Sequence, residues 1–214
     1  MHKYFIKTPG IVKTLFPSFI WSMPAEDKSV YITFDDGPHP LVTPFVLDLL
    51  KQYNAKATFF CIGKNVINQP GVYSRILEEG HTVGNHSQNH LNGWKTPGQQ
   101  YLADVATAAN YIDSNLYRPP YGKIRLKQAA GIKQAINKTD ARIIMWDVLS
   151  ADFDSEISVN DCVNNVITNI EPGSIVVFHD SEKAFRILKE ALPVIIEKLK
   201  EKGYKMKRIE QEVS

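Results

Sequence analysis

Short apolar runs alternate with longer amphipathic segments along most of this 214-residue chain. Runs rich in β-branched and aromatic residues predict six buried strands, at 30–34, 57–62, 82–85, 116–118, 141–146 and 174–178. Apolar residues at helical spacing predict helices at 40–53, 70–79, 96–114, 125–137, 159–169 and 182–202. Strands that alternate with helices are typical of a parallel sheet with crossover helices, so the pattern predicts an α/β fold.

Composition adds few constraints. Hydrophobic residues make up 43% of the chain and charged residues 22%, as in an ordinary globular protein. The net charge of +2 gives no argument for a nucleic-acid partner. The length suits one catalytic domain over 29–214, and we expect the aromatic and proline-rich residues 1–28 to pack against it as a lead-in.

The beginning of the chain is apolar and slightly basic, which resembles a secretory signal. Pro9, Gly10 and Pro17 interrupt it, however, and no stretch approaches the roughly 20 apolar residues that span a bilayer. We therefore expect no membrane span and a cytoplasmic location.

Polar side chains follow the predicted strands at the point where each strand ends. Because the carboxyl ends of strands in a parallel barrel meet at one end, we expect these side chains to converge. They are Asp35 and Asp36 after the first strand, His86 and His90 after the third, Arg118 and Tyr121 after the fourth, Asp147 and Asp152 after the fifth, and His179 and Asp180 after the sixth.

The spacing of His86 and His90 predicts two imidazoles on one face of a helical turn, where both can reach one ion. With Asp36 they offer two nitrogens and one oxygen, which leaves a coordination position open as in catalytic zinc sites. Iron(II) sites can have the same ligands. Two capping or solvated histidines, and a plain turn at Asp36 and Gly37, explain the same residues without a metal.

Four ordered motifs are similar to those of the polysaccharide deacetylase family, the NodB-homology domain of carbohydrate esterase family 4. The resemblance runs from about residue 30 to about residue 200. It implies a distorted, incomplete (β/α) barrel of the TIM type and a hydrolase that removes acetyl groups from carbohydrates. The motifs are residues 33–37 (TFDDG), 86–90 (HSQNH), 118–121 (RPPY) and 177–179 (VFH).

The resemblance also implies a role for each matching residue. One divalent metal ion is expected, with Zn²⁺ as the first choice and Co²⁺, Ni²⁺ or Fe²⁺ as alternatives. The implied roles are metal ligands for Asp36, His86 and His90, general base for Asp35, general acid for His179, a charged partner of Asp35 for Arg118, and a backbone N–H donor to the oxyanion for Tyr121.

The family has a further motif, the fourth in its order, between the residues that match 118–121 and 177–179, and here the chain departs from it: the motif commonly reads Asp-x-x-Asp-Trp, and this chain has residues 149–153 (LSADF). Asp152 keeps the second acid, which we expect to orient His179. Leu149 removes the first acid, and Phe153 keeps an aromatic wall without the indole N–H. We expect an altered substrate pocket with intact catalytic groups, and Trp94 is either a sugar-stacking residue or a structural one.

The sequence therefore predicts a metal-dependent deacetylase of an acetylated carbohydrate, with N-acetylglucosamine units of peptidoglycan, chitin or a related oligosaccharide as the expected substrate. Two alternatives remain open. One is a cytoplasmic deacylase or deformylase of a lipid- or nucleotide-linked sugar. The other is a barrel that binds carbohydrate without turnover, although such a protein would be expected to lack Asp35, His179 or a metal ligand, and all are present.

Overall fold

The computed structural model describes residues 4–25 and 27–210. In this part of the chain, parallel strands form one sheet and helices surround it. The strands are β1 (Ser29–Asp35), β2 (Thr58–Cys61), β3 (Thr82–Asn85), β4 (Leu116–Tyr117), β5 (Arg142–Ile143), β6 (Val148–Leu149), β7 (Ile175–His179) and β8 (Lys205–Lys207). The helices are α1 (Gly10–Leu15), α2 (Val42–Gln52), α3 (Gly63–Asn68), α4 (Pro70–Glu78), α5 (Gly98–Ala109), α6 (Leu126–Ala135), α7 (Val159–Ile167) and α8 (Glu182–Glu201).

Strand β1 lies in the middle of the sheet and sets the register of the site. The strand order is β5-β4-β3-β2-β1-β7-β6, and β8 pairs with the beginning of β1. The ring of Phe34 stacks between Phe59 and Phe178, with centroids 5.1 and 5.7 Å away, so the strand is packed on both sides. At its carboxyl end Asp35 lies beside His179 in the parallel register. The curled, incomplete α/β barrel is the predicted fold class.

The fifth predicted strand, 141–146, is wrong in length. Strand β5 ends at Ile143, and a separate strand, β6, begins at Val148. The chain leaves the sheet because Ile20 takes the next hydrogen bonds: its N–H donates to the Ile143 carbonyl over 2.9 Å, and its carbonyl accepts from Met145 N–H over 2.7 Å. A partner more than 120 residues away in sequence thus ends the strand.

Residues 4–25, called here the N-terminal segment, contact both edge strands of the sheet, β5 and β6. Ile20 pairs beside β5, whereas the Ile6 carbonyl accepts from Leu149 N–H over 2.8 Å at β6. The buried Asp147 accepts from Lys7 Nζ over 2.7 Å and from Lys13 Nζ over 2.6 Å. This segment therefore packs along the edges that the sheet leaves unpaired. Residues 1–3 of the predicted lead-in, residue 26, and residues 211–214 of the predicted domain lie outside the described residues.

Hydrophobic helices of membrane-spanning length are not found among residues 4–25 and 27–210. The cysteines Cys61 and Cys162 are free thiols, and both are buried. They pack as small apolar side chains.

Candidate active site

Asp36 begins the loop that follows β1, and its backbone has a φ of 81°. That left-handed conformation is uncommon outside glycine, but short polar side chains such as Asp tolerate it. The turn separates the two neighbouring carboxylates: Asp35 stays in the strand and is 4% exposed, whereas Asp36 is half-buried. Adjacent acids in the sequence thereby face different partners.

Asp36, His86 and His90 form a compact cluster whose ligand atoms all lie within 4.8 Å of one another. Asp36 Oδ1 is 3.2 Å from His90 Nε2 and 3.7 Å from His86 Nε2. This oxygen is buried and accepts no hydrogen bond within the described chain. Burial works to raise the pKa of the Asp36 carboxyl, but the imidazoles around it hold that pKa well below its usual range. A carboxylate oxygen and two imidazole nitrogens that face one point fit a divalent metal ion.

The ring of His86 is fixed in the state that a metal ligand needs. Its Nδ1 lies 2.8 Å from the backbone carbonyl of Arg118, and because a carbonyl can only accept, Nδ1 carries the proton. The other nitrogen, Nε2, is then the one with a free lone pair, and it faces Asp36. Burial lowers the pKa of His86 to about 4, so the imidazole is neutral at neutral pH.

The predicted helical turn at 86–90 is wrong, although the two histidines do meet. The segment is an irregular loop after β3, in which Ser87 has a φ of 63° and His90 a φ of 56°. Asp104 on α5 holds this loop, because its carboxylate accepts from the backbone N–H groups of Gln88 and Asn89, each over 3.0 Å. The imidazole centroids are 5.0 Å apart. The hydrogen bonds from Asp104 on α5, and not a helical turn at 86–90, therefore bring the two imidazoles together.

Asp35 is paired with a completely buried arginine. Arg118 Nη1 donates to Asp35 Oδ1 over 2.6 Å and to Thr33 Oγ1 over 2.7 Å. Its other nitrogens donate to the backbone carbonyls of Ile144 and Met145. Burial lowers the pKa of Arg118, but its ordinary value lies so high that the guanidinium stays charged. The positive charge stabilises the carboxylate, whose second oxygen, Oδ2, lies 4.0 Å from His86 Nε2 in the Asp36 cluster.

His179 ends β7 and is held by Asp152 through two hydrogen bonds. Asp152 Oδ1 is 2.8 Å from His179 Nδ1, and Asp152 Oδ2 accepts from the His179 backbone N–H over 2.8 Å. Burial lowers the pKa of His179, but the charge and hydrogen bond of Asp152, with the charges of Asp36 and Asp35, raise it overall to about 9. The imidazole is therefore protonated at neutral pH and can donate a proton through Nε2.

These groups border one cavity of about 550 Å³ at the carboxyl end of the sheet. Tyr121 lies at its rim in a 3₁₀ turn, Pro120–Gly122, with a φ of 59° and its ring 4.4 Å from that of His90. Leu149 and Phe153, from the motif that departs from the family, also line the cavity. Every predicted catalytic and metal-ligating residue is thus at this cavity or in direct contact with a residue that lines it.

One residue that the strand-end pattern highlighted, and the aromatic residue named as either sugar-stacking or structural, do not line the cavity. Asp147 lies away from the cavity and binds Lys7 and Lys13. Trp94 is 58% exposed and does not line the cavity, although Lys123, which does, lies over its ring at 5.4 Å from the centroid.

The sequence reasoning gave no role to Asp104 or Asp180. Asp180 is completely buried beside the first motif, where its Oδ1 accepts from the Gly37 N–H over 3.0 Å and its Oδ2 accepts from the Thr43 hydroxyl. Burial raises the pKa of Asp180 to about 8. The position of Asp180, directly after His179 at a strand end, was a sequence signal that could have identified it. Asp104 gave no such signal, since it resembles any polar residue of an amphipathic helix.

A carboxylate paired with arginine, a protonated histidine and a cluster suited to a divalent ion share one cavity. On a curled parallel sheet this combination is typical of metal-dependent hydrolases. Comparisons with known proteins show which family of hydrolases the chain resembles.

The family model described as polysaccharide deacetylase matches residues 22–143. A peptidoglycan-N-acetylglucosamine deacetylase from Bacillus cereus is 36% identical over 191 residues, which cover 86% of this chain and 88% of that protein. A chitooligosaccharide deacetylase from Azorhizobium caulinodans is 33% identical over 160 residues, which cover 72% of this chain and 74% of that protein.

Among solved structures, a peptidoglycan N-acetylglucosamine deacetylase in complex with 4-naphthalen-1-yl-N-oxidanyl-benzamide is similar over almost the whole molecule. The TM-score is 0.83 at 32% sequence identity, with 96% of this chain and 100% of that chain covered. The chain therefore belongs to the polysaccharide deacetylase family. The predicted family, fold class and general activity, a carbohydrate deacetylase, are confirmed.

Proposed function

We propose that this protein removes the N-acetyl group from N-acetylglucosamine units of peptidoglycan, chitin or a related oligosaccharide. The observation that carries the proposal is the convergence of Asp35, His179 and the Asp36 cluster on one cavity of about 550 Å³. That space admits a sugar ring with its acetamido group. The named activities of the relatives from Bacillus cereus and Azorhizobium caulinodans support the choice of an N-acetylated amino sugar.

Asp36, His86 and His90 would hold one divalent ion, and two imidazole nitrogens with one carboxylate oxygen suit Zn²⁺ best. When bound, such an ion supplies a Lewis acid that polarises the acetyl carbonyl and makes water more acidic.

Asp35 is the group that takes a proton from the attacking water. Its Oδ1 is occupied by Arg118, which leaves Oδ2 facing the cluster. Because each Arg118 nitrogen donates to a protein acceptor, the guanidinium cannot rotate away, and the carboxylate is fixed before substrate arrives. Tyr121 lies at the rim beside His90, and we assign its backbone N–H to the acetyl oxygen, where negative charge develops.

His179 is the group that donates a proton to the departing nitrogen. As the carbon–nitrogen bond breaks, the leaving amine needs a proton, because an amine anion is too basic to leave unaided. The charge of Asp152 keeps the imidazole protonated and fixes its orientation. The products are acetate and a glucosamine unit with a free amino group.

The test combines metal content with acetate release from N-acetylglucosamine oligomers before and after chelation. We expect about one ion per chain and loss of acetate release on chelation. Asp35→Asn should lower kcat by about 100- to 10,000-fold and keep the metal, because the base is lost and the ligands stay. The matched control, Asp48→Asn on the exposed side of α2, should behave as wild type.

Full activity in Asp35→Asn would overturn the assignment of the base. Metal without acetate release from any oligomer would overturn the proposed substrate. Failure to bind zinc, cobalt, nickel or iron would overturn the assignment of Asp36, His86 and His90 as ligands.

A further inference from the structure

The lining of the cavity includes a residue from the N-terminal segment. Tyr4 lines the same cavity as His179 and Phe153. The family model begins at residue 22 and ends at residue 143, so both Tyr4 and Phe153 lie outside the matched region. Neither the motifs nor the family match gives Tyr4 a role.

Tyr4 is held in a fixed position by contacts on two sides. Its ring meets that of Phe153 edge to face, with centroids 5.6 Å apart and an angle of 63°. Its hydroxyl donates to Asp154 Oδ2 over 2.5 Å. Phe153 in turn meets the imidazole of His179 edge to face at 5.0 Å. The two aromatic rings therefore form a corner directly beside the proposed acid.

The backbone next to Tyr4 is tied to the barrel. The carbonyl of Ile6, two residues after Tyr4, accepts a hydrogen bond from Leu149 N–H. The next residue, Lys7, forms an ion pair with the buried Asp147. Leu149 itself lines the cavity. The position of Tyr4 is thus set by the same short strand, β6, that carries the altered fourth motif toward the site.

Aromatic corners of this kind suit carbohydrates. The C–H faces of a sugar ring are apolar and pack on aromatic rings, while a tyrosine adds a polar edge that tolerates neighbouring hydroxyls. The corner lies next to His179, where a saccharide must continue beyond the reacting acetamido group. Lys183 Nζ, 5.4 Å from the Phe153 centroid, closes the other side of the corner.

We propose that Tyr4 is a specificity-determining residue that contacts the saccharide beside the reacting unit, so that the N-terminal segment is part of the active site. This proposal rests on the proposed function, since it requires a saccharide substrate. It predicts that Tyr4 affects oligosaccharides and leaves a small acetyl ester without a sugar unaffected.

The experiment compares acetate release from an N-acetylglucosamine tetramer with hydrolysis of 4-nitrophenyl acetate, with kcat and KM determined for each. Tyr4→Leu should raise the KM for the tetramer about fivefold to tenfold and leave both constants for the ester within about twofold. Tyr4→Phe keeps the ring but loses the hydroxyl bond to Asp154, so it should raise the KM for the tetramer less than Tyr4→Leu does. The matched control is Phe5→Leu, the same kind of change at a neighbouring position that is 65% exposed, and it should alter neither.

An unchanged tetramer KM in Tyr4→Leu, or equal losses on tetramer and ester, would overturn the role of Tyr4 and leave the proposed function standing. Should Tyr4→Leu not fold, Tyr4→Trp puts a larger ring in the corner, and an unchanged ratio of tetramer to ester activity in that variant would overturn the proposal equally. A wild-type protein that hydrolyses the ester and releases no acetate from any oligomer would overturn the proposed function and this proposal together.

Discussion

His179 shows how one neighbour sets the chemistry of a single residue. Partial burial alone would lower the pKa of His179 and favour the neutral imidazole. The Asp152 carboxylate, 2.8 Å from Nδ1, reverses that effect and leaves Nε2 as the proton donor. The working state of the residue is thus set by a side chain that does not touch the substrate.

Asp152→Asn keeps the shape of the side chain and removes its charge. We expect the pKa of His179 to fall from about 9, so the alkaline limb of the pH profile of kcat/KM should move to lower pH by about 1 unit or more. The direction follows because only protonated His179 can act as the acid, and activity is lost as pH rises through its pKa. A bound cation lowers the limb in both proteins and does not change the comparison.

The pH profile of acetate release measures this shift, with Asp113→Asn, exposed on the far surface, as the control. A limb at the same pH in Asp152→Asn and wild type would contradict the role given to Asp152. The raised pKa also stabilises the fold at pH below the ordinary histidine value of 6.5, and this contribution is lost as pH rises through about 9.

Gly37 shows a second constraint at the scale of one residue. A Cβ at this position would lie 2.0 Å from Asp180 Oδ2 and 2.5 Å from Asp180 Cγ, both far inside contact distance. The side chain of Asp180 cannot move aside cheaply, because it is buried and accepts from both the Gly37 N–H and the Thr43 hydroxyl. Any side chain at Gly37 would therefore displace the loop that carries Asp36.

Gly37→Ala should lower the free energy of unfolding by about 1 to 3 kcal/mol and reduce kcat and metal affinity together, because Asp36 is the preceding residue. Thermal unfolding and zinc titration measure both effects. Gly71→Ala, where a Cβ meets nothing within 4 Å, should keep the site and the fold intact. Equal behaviour of the two variants would contradict the account of Gly37.

At the scale of elements, α5 acts on the site although none of its residues lines the cavity. Asp104 reaches from this helix to the backbone of Gln88 and Asn89 and also accepts from Asn89 Nδ2 over 2.7 Å. Ser87 and His90 in this loop have positive φ, a conformation that costs energy and persists only when the surrounding structure holds it. The helix therefore supplies the order that keeps His86 and His90 directed at one point.

Asp104→Asn replaces an acceptor oxygen of the carboxylate with an NH₂ group that faces backbone N–H donors. We expect zinc affinity to fall by about 10- to 100-fold while the three ligands remain. Competition with a chromophoric chelator measures the change. Thr107→Ala, an exposed change on the same helix, should leave the affinity as in wild type, and an unchanged affinity in Asp104→Asn would contradict the bracing role.

The elements that the sequence predicted well are those with long, regular patterns. Helices α2, α7 and α8 lie within two residues of their predicted bounds, because a buried face repeats over several turns. The predicted helix 96–114 runs five residues too far, since the chain turns after Ala109 while Ile112 beyond the turn stays buried and continues the apolar pattern. Strands β5 and β6, with two residues each, are too short to show any alternation.

For the site too, local motifs could be predicted from the sequence and contacts between distant residues could not. The motifs gave all eight proposed site residues, and the structure brings these residues to one cavity or into contact with its lining, because they lie at or just after strand ends. Contacts such as Gly37 with Asp180, 143 residues apart, depend on the register of β1 and β7, which no local pattern contains.

At the scale of the whole molecule, Asp147 joins the N-terminal segment to the barrel. Its side chain is 3% exposed and bonded by Lys7, Lys13 and the Ser174 hydroxyl. Removing the charge takes away the carboxylate closest to two partly buried ammonium groups, each 29% exposed, and leaves Lys7 only the exposed Glu171, 3.5 Å away. Asp147→Asn should therefore lower the free energy of unfolding at neutral pH by about 2 to 3 kcal/mol, after allowance for solvent screening.

The pH dependence of this effect has a definite sign. Burial works to raise the pKa of Asp147, but Lys13, Lys7 and Ser174 hold it below the ordinary value of 3.8. Its contribution is therefore complete above about pH 4 and is lost as pH falls through the lower pKa of the folded state. Denaturant unfolding at neutral and acidic pH measures the difference between variant and wild type, with Asp48→Asn as control. A difference that stays constant down to pH values below 3.8 would contradict the ion-pair account.

The position of β1 in the middle of the sheet has a consequence for biosynthesis. Residues 29–35 leave the ribosome early, yet two of their neighbours, β7 and β8, come from 175–179 and 205–207. The first motif emerges long before His179, the residue beside which Asp35 must lie. Pairings this distant in sequence form late and slowly. The nascent chain therefore carries the carboxylates of the first motif unassembled until β7 has been synthesised, and hydrolytic activity arises only after that strand pairs with β1.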